Sequence, residues 1–101
     1  MNSTKSYYAI IPANVRYDDE LSPNAKLLYG EITALCNEHG YCAEPNSYFA
    51  KLYNCSKQSV VNWINQLVEK KYIIRKSFDG TFRVLVLNEK NGGNRNDVPF
   101  L

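Results

Sequence analysis

One histidine, one tryptophan and one methionine in 101 residues leave little material for chemistry. There is no glycine-rich phosphate loop, no pair of carboxylates at a suggestive spacing and no nucleophile beside a base, so the chain reads as a binding module and not an enzyme, with no cofactor expected. No segment approaches the roughly 20 apolar residues of a membrane span, and no long apolar run follows a basic start, which points to a cytoplasmic protein without a membrane partner. Cysteine is scarce and odd in number, at three, and in the absence of an export signal these read as reduced thiols. Cys36, His39, Cys42 and Cys55 are zinc-competent, but their spacing matches none of the usual paired-ligand patterns. Cys36 falls on the apolar face of a helix and Cys55 where a turn wants a small apolar residue, so both read as buried hydrophobes and no metal is expected. Charge is also in short supply: the net value is +2, too small to announce a nucleic-acid partner by itself.

What is present is enough apolar material, 45%, for one modest core. Residues 46–67 are the most informative stretch, because two short amphipathic helices meet there across a corner. Ala50 supplies the small residue that a crossing helix needs. Asn54 tolerates the left-handed backbone of the corner, Cys55 tucks beneath it and Ser56 is a strong N-cap for the second helix. Val60, Trp63, Ile64 and Leu67 mark the buried side of that second helix, which spans 56–70. Its other side carries Gln58, Asn62 and Asn65, flanked by Lys57, Ser59 and Gln66, and these are amides, hydroxyls and a cation instead of an ordinary Glu/Lys face.

Around this pair the chain parses as follows. Residues 1–6 are polar and expected to fray. Tyr7 to Ile11 is a short β-prone run, and Pro12 opens a helical turn through Val15. Ser22-Pro23 starts a helix that carries Ala25, Leu28, Tyr29, Ile32, Leu35 and Cys36 on one face and stops near His39-Gly40. Tyr41 to Ala43 fits a short strand, and Asn46 is expected to cap the next helix. Beyond the second helix of the pair, Tyr72 to Phe78 and Thr81 to Leu87 read as strands joined at Asp79-Gly80. The fold class is therefore mainly α with a small β-hairpin (α+β), a winged helix-turn-helix over residues 7–87. Residues 88–101 form a polar linker or tail whose apolar end, Val98 to Leu101, fits either a shortened chain or a docking tail.

The stretch Tyr8 to Tyr29, with its Leu-Ser-Pro-Asn-Ala-Lys-Leu-Leu-Tyr ending at Tyr29, followed by Gly-Glu-Ile-Thr-Ala-Leu-Cys-Asn, resembles the N-terminal domain of phage and plasmid replication initiators of Gram-positive hosts, the phage replisome organisers. The resemblance covers about residues 7–87. It implies an origin-binding module of DNA replication. It also implies a following helical domain, beyond residue 101, that engages the host helicase loader or helicase.

A helix in the major groove reads base edges, and an amide pairs with both N6 and N7 of adenine. Gln58 and Asn62 are the leading base readers on double-stranded DNA, with Asn65 behind them. Ser56, Lys57 and Ser59 are placed for phosphates at the helix N-terminus, and Arg75, Lys76 and Arg83 for backbone or minor groove from the hairpin. Lys51, Lys57, Lys70, Lys71, Arg75, Lys76 and Arg83 gather after residue 50, whereas Asp18, Asp19, Glu20, Glu31 and Glu38 precede it, which suggests one basic face. The plain alternatives are that these polar residues are merely solvated and that the hairpin charges only discourage edge pairing. Trp63 and the tyrosines Tyr7, Tyr8, Tyr29 and Tyr72 read as packing residues. Two other functions share the fold: transcriptional repression, and a small phage-encoded protein that binds or inhibits a host protein through an apolar patch near Tyr53, Val61 and Val68. A domain this small is expected to gain avidity from dimers or repeated sites.

Overall fold

The computed structural model describes residues 8–78 and 82–88. Expectations for residues 1–7, for the Asp79-Gly80 turn with Thr81, and for the tail from 89 to 101 lie outside these.

Four helices and a hairpin follow one another: α1 (Ala13–Arg16), α2 (Pro23–His39), α3 (Asn46–Tyr53), α4 (Lys57–Glu69), β1 (Ile73–Phe78) and β2 (Phe82–Leu87). The Ser22-Pro23 start behaves as its chemistry dictates. Ser22 Oγ accepts from the Ala25 N–H, and proline occupies the first helical position, where no N–H is needed. At the other end Gly40 takes φ 85°, and its N–H reaches the Cys36 carbonyl at 2.6 Å. The segment before α1 is not a strand. It lies along α2, where Ile10 N–H donates to Thr33 Oγ1 at 3.1 Å and Thr33 Oγ1 donates to the Gly30 carbonyl at 2.6 Å. Gly30 permits that approach, since a Cβ there would come within 3.1 Å of both Ala9 and Ile11 side chains.

Val15, Leu21, Ala25, Leu28, Tyr29, Ile32, Phe49, Val60, Ile64, Leu67, Ile73 and Leu85 close a single core. Every element contributes, so each short helix is held by burial and not by its own hydrogen bonds. Tyr29 and Tyr72 pack edge to face within it, 6.3 Å between centroids, whereas Tyr8 is 83% exposed and is no packing residue. Leu35, Cys36 and Trp63, expected on buried faces, are only half-buried at its rim. The strands pair antiparallel, Ile73 opposite Leu87 and Phe78 opposite Phe82. The expected strand at Tyr41 to Ala43 contracts to one bridge, Cys42 to Leu85, with reciprocal backbone bonds of 2.9 and 2.8 Å. The cap expected from Asn46 is also absent: Pro45 holds the N-cap position without a side-chain bond, and Asn46 is the first helical residue.

Below α1, Tyr72 OH sits 2.6 Å from Asp18 Oδ2, and Lys70 Nζ bridges Asp18 at 3.3 Å and Glu20 at 2.7 Å. The Tyr72 hydroxyl, the Glu20 N–H and Lys70 together hold the Asp18 carboxyl below its ordinary value of 3.8. A carboxyl whose folded pKa is depressed contributes stability above its unfolded value, and that contribution is lost as pH falls through the folded value. Tyr72 works in the opposite sense. Burial and the Asp18 bond push it up to about 12, so its share is present below the ordinary value of 10 and lost as pH rises toward 12. Asp18→Asn is therefore expected to flatten the acid limb of a urea-midpoint-against-pH curve as pH falls through and below the ordinary carboxyl value of 3.8. An unchanged acid limb would show that Asp18 is not linked to folding.

Candidate nucleic-acid interface

The corner between α3 and α4 is built by backbone bonds that the Asn54 conformation makes possible. With Asn54 at φ 57° and ψ 54°, its N–H reaches the Lys51 carbonyl at 3.3 Å, and the Cys55 N–H reaches the Ala50 carbonyl at 2.9 Å. This is a Schellman closure with asparagine in the usual glycine position. Ser56 then caps α4, accepting from the Ser59 N–H at 3.1 Å and donating to Ser59 Oγ at 3.0 Å. Its hydroxyl is thereby engaged, and Ser59 keeps the proton that can point to a phosphate.

Along α4 the buried residues Val60, Ile64 and Leu67 face the core, while Gln58, Asn62 and Asn65 are all exposed. At 100° per residue these three amides fall within about 60° of arc, a single stripe opposite the core. They are not independent. Gln58 Nε2 donates to Asn62 Oδ1 at 3.0 Å, one turn along, and Asn65 Oδ1 accepts from Arg75 Nη1 at 3.0 Å. Gln66 does not flank this stripe as expected. It is half-buried, and its Oε1 accepts from the Ser22 N–H at 2.9 Å, tying α4 to the start of α2.

The expected basic face is thinner than the order of residues along the chain suggests. Lys70 belongs to the Asp18 and Glu20 cluster. Arg83 does not project toward a ligand: it is half-buried, its Nη2 donates to the Glu44 carbonyl at 2.9 Å, and burial lowers its pKa. Strand alternation explains this, because Arg75 and Arg83 share the hairpin face that carries Ile73 and Leu85 inward, whereas Lys76 is on the other face. Lys51, Lys57, Arg75 and Lys76 are exposed and remain placed for phosphates.

Away from the amide stripe, Asn24, Leu27, Tyr53, Cys55 and Trp63 line a groove of about 280 Å³ between α2, the corner and α4. Leu27 is 58% exposed at its edge, and the Tyr53 hydroxyl donates to Glu31 Oε1 at 3.2 Å. Val61 and Val68 do not line it. The cysteines are free, and burial raises the Cys36 thiol to about 11 and shifts Cys42 in the same direction. Thiols held protonated at neutral pH are poor nucleophiles and poor ligands. Among the described residues no three His, Cys, Asp or Glu side chains converge on a metal position.

A helix pair meeting at a tight corner, a supporting helix beneath and a hairpin at the exit of the second helix define a winged helix-turn-helix. The helix-turn-helix domain family matches residues 19–73, more than half of the chain, and the chain belongs to that family. No curated protein and no solved structure matches it. Family membership supports DNA binding. Among the described residues no helix is long and apolar enough to cross a membrane.

Proposed function

We propose that this chain is the double-stranded DNA-binding module of a phage or plasmid replication initiator. In this reading α4, predicted as 56–70, lies in the major groove of an origin site and the 72–87 hairpin acts as the wing. The observation that carries DNA reading is the exposed stripe Gln58, Asn62, Asn65 on the second helix of the pair, amide-rich and free of acids until Glu69. The replication context rests on the Tyr8 to Asn37 stretch and its likeness to initiator N-terminal domains. Host replication proteins would bind through a region beyond residue 101, and a dimer or repeated origin sites would supply avidity.

Fluorescence anisotropy against duplex fragments of the coding region and its flanks tests this. Three cations, Lys51, Lys57 and Lys76, each neutralising one phosphate, give about a fortyfold weakening between roughly 50 and 200 mM salt. Binding to one fragment with that salt response supports the reading, and preference for an origin over a promoter fragment separates initiation from repression. The groove at Leu27 and Trp63 favours a second reading, a host-protein partner, because it lies off the amide stripe. Absence of binding to any duplex at the lower salt would put that reading first.

A further inference from the structure

We infer that Arg75 sets the base preference of Asn65, turning it from an adenine reader into half of a guanine-reading pair. This rests on the DNA-binding reading above and goes beyond it in assigning chemistry to one position of the site. The contact is Arg75 Nη1 to Asn65 Oδ1, 3.0 Å, between β1 and the exposed stripe of α4. A guanidinium has donors only, so the amide must turn its oxygen toward Arg75 and its two N–H groups away. The orientation is dictated by chemistry, whereas an amide-to-amide contact such as Gln58 to Asn62 can be drawn either way round.

Adenine offers an N6 donor and an N7 acceptor, so an amide reading it must present both its oxygen and its nitrogen. Asn65 Oδ1 keeps a second lone pair, but an N6 amino group that approaches it comes beside the Arg75 N–H groups, donor against donor and next to a full positive charge. Guanine offers two acceptors, O6 and N7, and the Asn65 amide nitrogen together with the remaining Arg75 N–H groups presents only donors. The pair therefore fits guanine. Gln58 and Asn62 spend one donor and one acceptor on each other, and between them they keep one free acceptor and free donors, the adenine pattern. Seven residues of helix separate Gln58 from Asn65, roughly 10 Å, or about three base-pair steps. The single stripe thus carries two different readouts, an adenine-type one at its N-terminal half and a guanine-type one at its C-terminal half.

The test is selection by the full chain from duplexes with a randomised centre, sequenced for the wild type, Arg75→Ala and the double variant Arg75→Ala with Asn65→Ala. The wild type is expected to enrich guanine at one position by about ten- to hundredfold. Arg75→Ala frees the amide, and adenine should replace guanine at that position with the others unchanged. Asn65→Ala should lose adenine discrimination there in the Arg75→Ala background. Arg75 is exposed, and an unaltered melting curve confirms that the variant is folded. If Arg75→Ala weakens all duplexes equally and keeps the guanine, Arg75 is a phosphate contact and the inference fails while DNA reading stands. A wild-type chain that enriches no sequence overturns both.

Discussion

Alanine at both Gln58 and Asn62 is expected to lower binding to the specific duplex about a hundredfold, to the level of a scrambled duplex, while leaving the fold intact. Each bidentate base contact contributes roughly 1–3 kcal/mol of discrimination. The two amides also hold each other at 3.0 Å, so removing one leaves the other unoriented. The double variant should therefore lose less than the sum of the two singles, a coupling that a double-mutant cycle measures directly. Lys51 and Lys57 are untouched, and the binding they support is independent of sequence, so the residual affinity should keep its full salt response. Both positions are exposed on a helix, where alanine is the better helix former, and the melting temperature should hold or rise slightly. Equal losses on specific and scrambled duplexes would show that these amides touch the backbone alone. No loss on either would remove Gln58 and Asn62 from the interface.

Local chemistry carried the fold into the sequence. Ser22-Pro23, Gly40, Asn54 and Ser56 each suit a cap or corner geometry better than most residues do, and the structure puts each at such a position. The exposed stripe was legible for the same reason, since Val60, Ile64 and Leu67 define a buried face and the amides are what remains. Long-range partners were not legible. Lys70 lies among cations in sequence, yet the end of α4 returns it to Asp18 and Glu20. The turn that follows, which brings Tyr72 onto the same Asp18, is made at Lys71 with φ 66°, a left-handed residue with no glycine to signal it. Lys71 is held by the Tyr72 N–H to Leu67 carbonyl bond at 3.0 Å and by Asn88 Nδ2 on its own carbonyl at 2.8 Å. Charge alone predicts an outward Arg83, because charge says nothing of register. Alternation from the apolar Leu85 would have placed it inward, but the run Phe82 to Leu87 is apolar at so many positions that neither face stands out. Gln66 looked like its neighbouring amides because nothing local marks the Ser22 N–H as its partner, 44 residues away.

Phe49→Ala is expected to destabilise the domain by about 3–5 kcal/mol, a large part of the roughly 5–15 kcal/mol available to a protein of this kind. Phe49 is fully buried, and its ring meets Tyr48 edge to face at 5.2 Å. Its weight comes from how little else holds α3. That helix has eight residues, its N-cap Pro45 makes no side-chain bond, and an isolated helix of this length is unstable in water. It is kept in place by burial of Phe49 and Ala50, by the Tyr53 bond to Glu31 of α2 and by the bond from Arg83 of β2 to the Glu44 carbonyl just ahead of it. Truncating Phe49 leaves a cavity under the helix that packs against α4. The melting temperature should fall by about 15 °C or more, and the urea midpoint should drop with little change in slope. Trp63→Ala makes the control. Trp63 is larger but only half-buried beside the groove, so its loss should cost less than that of Phe49. DNA binding by Phe49→Ala should persist at low temperature, where the chain stays folded, and vanish in step with unfolding on warming. A Trp63 variant less stable than the Phe49 variant would place the support of the helix pair at the groove and not in the core beneath α3.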